Sequence, residues 1–187
     1  MLTRAARIEF AQNGYSRTTV ESITTRAGVA KGTYYLYFKQ KEDIIYDIIE
    51  ETADNISSIL KEEYERFLNN SQPFEQIIYD VIERSVAEYM SLKDIIMTNT
   101  YIDFEISPRL SKFKDLNQKK VLDYAVKILD LAMERGLVRT INTAEFAPIL
   151  IGIFTQAAKD LAIRKDSDRL GHYVIIMRDL LLRGIQS

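Results

Sequence analysis

Between Arg17 and Asp43 the sequence sets small, hydroxyl-bearing, aromatic and basic side chains at spacings suited to touching a nucleic acid. A short helix is expected from about Ala30 to Phe38. At ~100° per residue, Tyr34 and Phe38 fall together on one side and turn inward. Gly32, Thr33 and Leu36 cluster on the opposite side, with Tyr35 and Tyr37 on its two edges. A helix whose outer face is small and nearly uncharged enters a major groove closely. Gly32 lets the backbone approach base edges, Thr33 offers a hydroxyl, and Leu36 suits a thymine methyl. The Tyr35 and Tyr37 hydroxyls suit phosphates on the groove walls, and Lys31, Lys39 and Lys41 add positive charge around them. The plainer reading, that these aromatics are only core, fits Tyr35 or Tyr37 taken singly better than it fits the whole set.

The elements that must position these groups are equally legible. Thr18 or Thr19 can cap a preceding helix by accepting from an orphan amide of its first turn. Both also join the candidate DNA contacts. Val20, Ile23 and Ala27 give that helix one apolar face. Gly28 suits the left-handed turn that ends a helix, and Val29 carries the chain back to the core. Two short helices joined through a glycine-containing turn form a helix-turn-helix. A helix over Leu2–Asn13, stopped by Asn13-Gly14, completes a three-helix head that needs support from whatever follows.

These residues carry a family resemblance. F-A-Q-N-G-Y at 10–15, T-T-V at 18–20, A-G-V-A-K-G-T-Y-Y-L-Y-F at 27–38 and K-Q-K-E-D at 39–43 resemble the DNA-binding domain of the TetR family of bacterial transcriptional regulators. The resemblance covers residues 1–46 without a gap. It implies an all-helical homodimeric repressor that binds operator DNA and releases it when a small molecule enters its C-terminal domain. Many members of that family carry a basic arm ahead of the first helix, whereas here the first helix begins almost at once.

Composition limits the alternatives. The 187 residues are 47% hydrophobic, with 3 Pro and 7 Gly, which suits a compact helical protein. There is no cysteine and one histidine, so no metal site and no cofactor are expected. His172 has no serine or carboxylate pair placed to make it a base, and no enzymatic activity is expected. No leader or long apolar span suggests a membrane or secreted protein, so a cytoplasmic, nucleoid-associated location is expected. The net charge of −2 is unevenly divided. Residues 1–41 carry seven basic side chains against Glu9 and Glu21; the remainder carries eighteen against twenty-five acidic ones. A basic head on an acidic body orients the head towards a polyanion.

The remaining chain reads as helices throughout, about nine in all, giving a head (1–46) and a ligand-binding and dimerisation domain (47–187). A long helix from about Lys41 to Leu68 joins them, as scaffold or as lever. Further helices are expected over Pro73–Leu92, from Pro108 to about Arg135 and over Glu145–Ile163, with a last one capped by Ser167. The last two are apolar on almost every side and call for a partner. Phe154, Ala158, Leu161, Tyr173, Ile176, Met177 and Leu180 are the candidate interface of a two-fold dimer. Tyr89, Met90, Met97, Asn99, Tyr101, Phe104, Phe113, Tyr124 and Phe154 combine soft or aromatic bulk with a few polar ends and are the candidate pocket residues. The effector class stays open: a lipophilic molecule, a cation meeting Asp103 and Glu105, or an acyl-coenzyme A whose phosphates meet Arg109, Lys112, Lys114, Lys119 and Lys120. The competing function is a helical carrier or enzyme with the same pocket and no operator binding.

Overall fold

The computed structural model describes residues 1–92, 108–164 and 169–185, with side chains left undescribed at 108–117 and 162–164. Eight helices occupy the described residues: α1 (Leu2–Asn13), α2 (Val20–Ala27), α3 (Lys31–Tyr35), α4 (Asp43–Leu68), α5 (Phe74–Met90), α6 (Pro108–Glu134), α7 (Thr143–Arg164) and α8 (Leu170–Ile185). The chain is all-α, as its periodicity predicts.

Local chemistry explains the ends of α2. Thr19 accepts from the Ser22 amide while Ser22 Oγ accepts from the Thr19 amide, a reciprocal capping box. Gly28 takes the left-handed conformation (φ 68°, ψ 32°), and the Val29 amide donates back to the Thr24 carbonyl.

Helix α3 is shorter than the expected Ala30–Phe38. After Tyr35 the amides of Leu36 and Tyr37 turn to the carbonyls three residues back. The Asp43 carboxylate then accepts from the Lys39 and Gln40 amides. This tightened exit lets Tyr34 and Phe38 enter the same core while the chain reverses into α4.

Two hydrophobic clusters organise the molecule. The head's cluster gathers Leu2, Ala5, Ala6 and Phe10 of α1 with Tyr15, Ile23, Tyr34 and Phe38. It also takes in Ile44, Ile45 and Ile48 of α4 and Leu92 beyond α5. The body's cluster runs from Phe67 and Phe74 through α5, α6 and α7 to Ile185 of α8. Helix α4, about 39 Å long for its 26 residues, serves both. It packs along α5 and α6. Lys120 of α6 holds its middle through Asp54 (2.7 Å) and Glu50 (3.4 Å). At its far end Arg135 donates to the carbonyls of Phe67 and Leu68 in the last turn and lies over the Phe67 ring.

Candidate nucleic-acid interface and interior cavity

The outer face of α3 is built from below. Tyr34 is fully buried, its ring 5.0 Å from that of Phe38 and its hydroxyl donating to the Gln40 carbonyl. Burial pushes its phenol well above the ordinary value, so it stays neutral. With the helix fixed on that side, the other side projects outward. Leu36 is 80% exposed, Tyr37 72% and Tyr35 52%. A leucine this exposed beside two exposed tyrosines has no use in the chain's own core. Gly32 is exposed with open space where a side chain would begin, and Thr33 is half-buried beside it. Lys31 and Lys39 are exposed at the rim, Lys31 in a loose 3.9 Å pair with Glu21. Thr19, although it caps α2, is also exposed.

Two of the expected contact residues are placed differently. Thr18 is 2% exposed and its hydroxyl is directed inward, donating to the carbonyls of Glu9 and Gly14. Lys41 lies before α4 with its ammonium turned into the protein. It donates to the carbonyls of Tyr15 (2.8 Å) and Thr18 (2.9 Å) and sits 4.0 Å over the Tyr15 ring. Burial holds the ammonium below the usual lysine value. Tyr15 in turn donates to Glu42 at 2.6 Å. Lys41 therefore braces the loop before α2, because that loop's carbonyls have no helical partners and lie within reach.

The body encloses a cavity of about 430 Å³ between α4, α5, α6 and α7. Its wall is mainly aliphatic, with Ile49, Ala53 and Ile56 from α4, Ile78 and Ile82 from α5, and Val121 and Ala125 from α6. Ser85 Oγ belongs to this wall, buried and with no hydrogen-bond partner among the described residues. Exposed Gln118 and Gln156 also line it, so the cavity reaches the surface beside α6 and α7. Of the expected pocket residues, Tyr89 and Phe154 line the cavity. Met90 packs against the body's cluster instead, and Tyr124 meets the Tyr64 ring at 6.2 Å beneath the Lys127 ammonium. Met97, Asn99, Tyr101 and Phe104, with Asp103 and Glu105, lie outside the described residues, as do the Phe113, Arg109, Lys112 and Lys114 side chains. The aliphatic wall escaped the sequence reading because Ile and Ala at helical spacing look the same whether they meet a neighbour or a void.

The two C-terminal helices sort their apolar residues by side. Ala158, Leu161 and Met177 are buried in the chain's own cluster, not on an outer face. Phe154 and Tyr173 are half-buried against that cluster, and the Tyr173 hydroxyl donates to Asp160. Ile176 and Leu180 point outward, 50% and 61% exposed. Ile149 and Ile153 of α7, which the periodicity did not single out, are exposed too, at 59% and 40%.

No helix among the described residues is long and apolar enough to cross a membrane. The comparisons with known proteins agree with this geometry. A family model described as "Bacterial regulatory proteins, tetR family" matches residues 2–48. A fatty acid metabolism regulator of Bacillus subtilis is 43% identical over 53 residues, 28% of this chain and 27% of that one, so that likeness spans about a quarter of the relative. An uncharacterised HTH-type transcriptional regulator of the same organism is 29% identical over 155 residues, 82% of this chain and 78% of that one. Among solved structures, Bacillus subtilis FadR in complex with stearoyl-CoA superimposes with a TM-score of 0.78 at 21% identity, covering 99% of this chain and 98% of that one. Thermus thermophilus FadR in complex with lauroyl-CoA gives 0.69 at 20% identity, over 98% and 92%. The helix-turn-helix head, residues 2–48, thus matches the tetR family of bacterial regulatory proteins, and the helical body shares the fold of the two FadR structures.

Proposed function

We propose that this regulator represses transcription by binding operator DNA as a homodimer, and that a long apolar effector such as a fatty acyl-coenzyme A releases it. Residues 1–46 form the DNA-binding head and residues 47–187 the effector and dimerisation body. The observation that carries the reading is the pairing of an exposed, uncharged α3 face with an aliphatic cavity in the body. Thr33 and Leu36 read bases, with Gly32 allowing close approach. Thr19, Lys31, Tyr35, Tyr37 and Lys39 meet the phosphates, while Thr18 and Lys41 hold the loop behind them. The outward face of Ile149, Ile153, Ile176 and Leu180 meets its copy, so that two α3 helices stand about 34–36 Å apart in successive major grooves. An acyl chain suits a wall of isoleucine, valine and alanine, as the stearoyl-CoA and lauroyl-CoA complexes of structurally similar proteins suggest. A cytoplasmic, nucleoid-associated protein follows from this role.

Binding to promoter fragments from the gene's own neighbourhood tests the proposal. Affinity should fall as salt rises, and stearoyl-CoA should weaken it by about 5–150-fold. Salt-independent or absent binding across all fragments would favour a helical carrier with the same cavity. Retained binding with stearoyl-CoA demonstrably bound would refute release.

A further inference from the structure

The head and the cavity share a wall. Leu92, just past α5, is buried in the head's cluster and also lines the cavity. Ile49 and Tyr89 do the same, packing against the head on one side and facing the cavity on the other. Across this shared wall reaches one arginine of α1. The Arg7 guanidinium donates to Ser91 Oγ at 2.9 Å, to Thr52 Oγ1 at 2.9 Å and to the Ile48 carbonyl at 3.1 Å, with the Glu51 carboxylate 3.6 Å away. Thr52 is itself buried in the cavity wall, and its hydroxyl both accepts from Arg7 and donates to the Ile48 carbonyl. One side chain of the head thus ties together α4 and the end of α5 at the point where the cavity meets the head.

We infer that Arg7 is a positioning residue through which filling of the cavity moves the DNA-binding head. The inference rests on the reading of the cavity as the effector site. A guanidinium is a planar fork whose bond directions are fixed, so it registers a relative shift of its acceptors that a flexible ammonium would absorb. Its Nε is buried with no hydrogen-bond partner among the described residues, so desolvation opposes this placement and the anchored bonds must offset it. An effector that presses on Leu92 or Tyr89 displaces Ser91 relative to Thr52. Arg7 then keeps one anchor and loses the other. Because Ala5, Ala6 and Phe10 of α1 are packed in the head's cluster, α1 carries that shift to α2 and α3.

Hydrogen exchange of the α1–α3 amides in the full-length protein tests this without requiring DNA. The cavity is filled in two ways, by stearoyl-CoA and by Ala125→Phe on α6, which occupies the void from a wall remote from the head. In the wild type, filling should change exchange in α1–α3 by roughly fivefold or more; with Arg7→Lys or Ser91→Ala the change should shrink below roughly twofold there and persist in α5–α7. Ser91 is exposed and loses a single hydroxyl, so this variant reports on the bond and not on folding. A head response equally large in both variants would assign the transmission to α4 alone, and a wild-type head that never responds would end the inference. Operator binding by the unfilled wild type reads the repressor proposal separately.

Discussion

The head and the body solve opposite packing problems within one chain. The head is small, and polar groups pin it at close range. Glu9, almost fully buried, is held by Arg26 and by Asn13, and Lys41 and Thr18 tie the loop before α2. The body has more apolar side chains and leaves a cavity of about 430 Å³ among them. A surface that reads DNA, as proposed for the head, must present the same groups each time, and directional bonds support this one. A body that accepts a guest, as proposed, needs a wall that can adapt, and most of this one is aliphatic, with Thr52 as a hydrogen-bonded exception. The contrast is between a pinned head and a yielding cavity wall; elsewhere the body is pinned too, with Glu63 fully buried beside Arg66 and Arg84.

The contrast fails most visibly if the two units do not depend on a second copy. Ile176→Glu places a charge in the outward face of α8, away from both clusters. Sedimentation should show monomers, and operator affinity should fall by about 10²–10⁴-fold as the second head loses its tether. An intact dimer would move the interface off this face.

A smaller effect separates the pinned head from the body. Arg26→Met leaves the Glu9 carboxylate buried without its main partner and should destabilise the protein by about 2 kcal/mol. The pH dependence gives an independent reading. In the wild type the Arg26 hydrogen bond holds Glu9 below its ordinary value of 4.5. A depressed folded-state value means that this stabilisation is present above 4.5 and is lost as pH falls through the folded-state value. In Arg26→Met the largest cause of that depression is gone, so the stability lost on acidification should shrink. Thermal melts across pH 3–7 check the sign, and parallel curves for the two proteins would show that Glu9 is not the pinning group.

The smallest effect distinguishes two lysines two residues apart. Lys39→Ala should lower the salt slope of DNA binding by about 0.9 while leaving the melting temperature alone. Lys41→Met should do the reverse, because its ammonium holds the carbonyls of Tyr15 and Thr18. A lowered salt slope for Lys41→Met would return that ammonium to the DNA.

What the sequence determined is the part whose causes lie within a few residues of one another. The capping box of Thr19 and Ser22, the left-handed Gly28 and the four-residue spacing of Tyr34 and Phe38 specify the helix-turn-helix and hence the exposed side of α3. Helix bounds such as Leu2–Asn13 were legible for the same reason: Asn13-Gly14 is a local stop. The tertiary structure decided everything that depends on which helices meet. Lys41 and Lys39 look alike in sequence, yet it is Lys41 that reaches the Tyr15 and Thr18 carbonyls before α2. Helices α7 and α8 are apolar on most sides, so periodicity could not say that Met177 faces inward and Ile176 outward. Arg7 was only one charge among seven until α4 and the end of α5 came together around it, because hydrogen bonds over 41 and 84 residues leave no trace in local spacing.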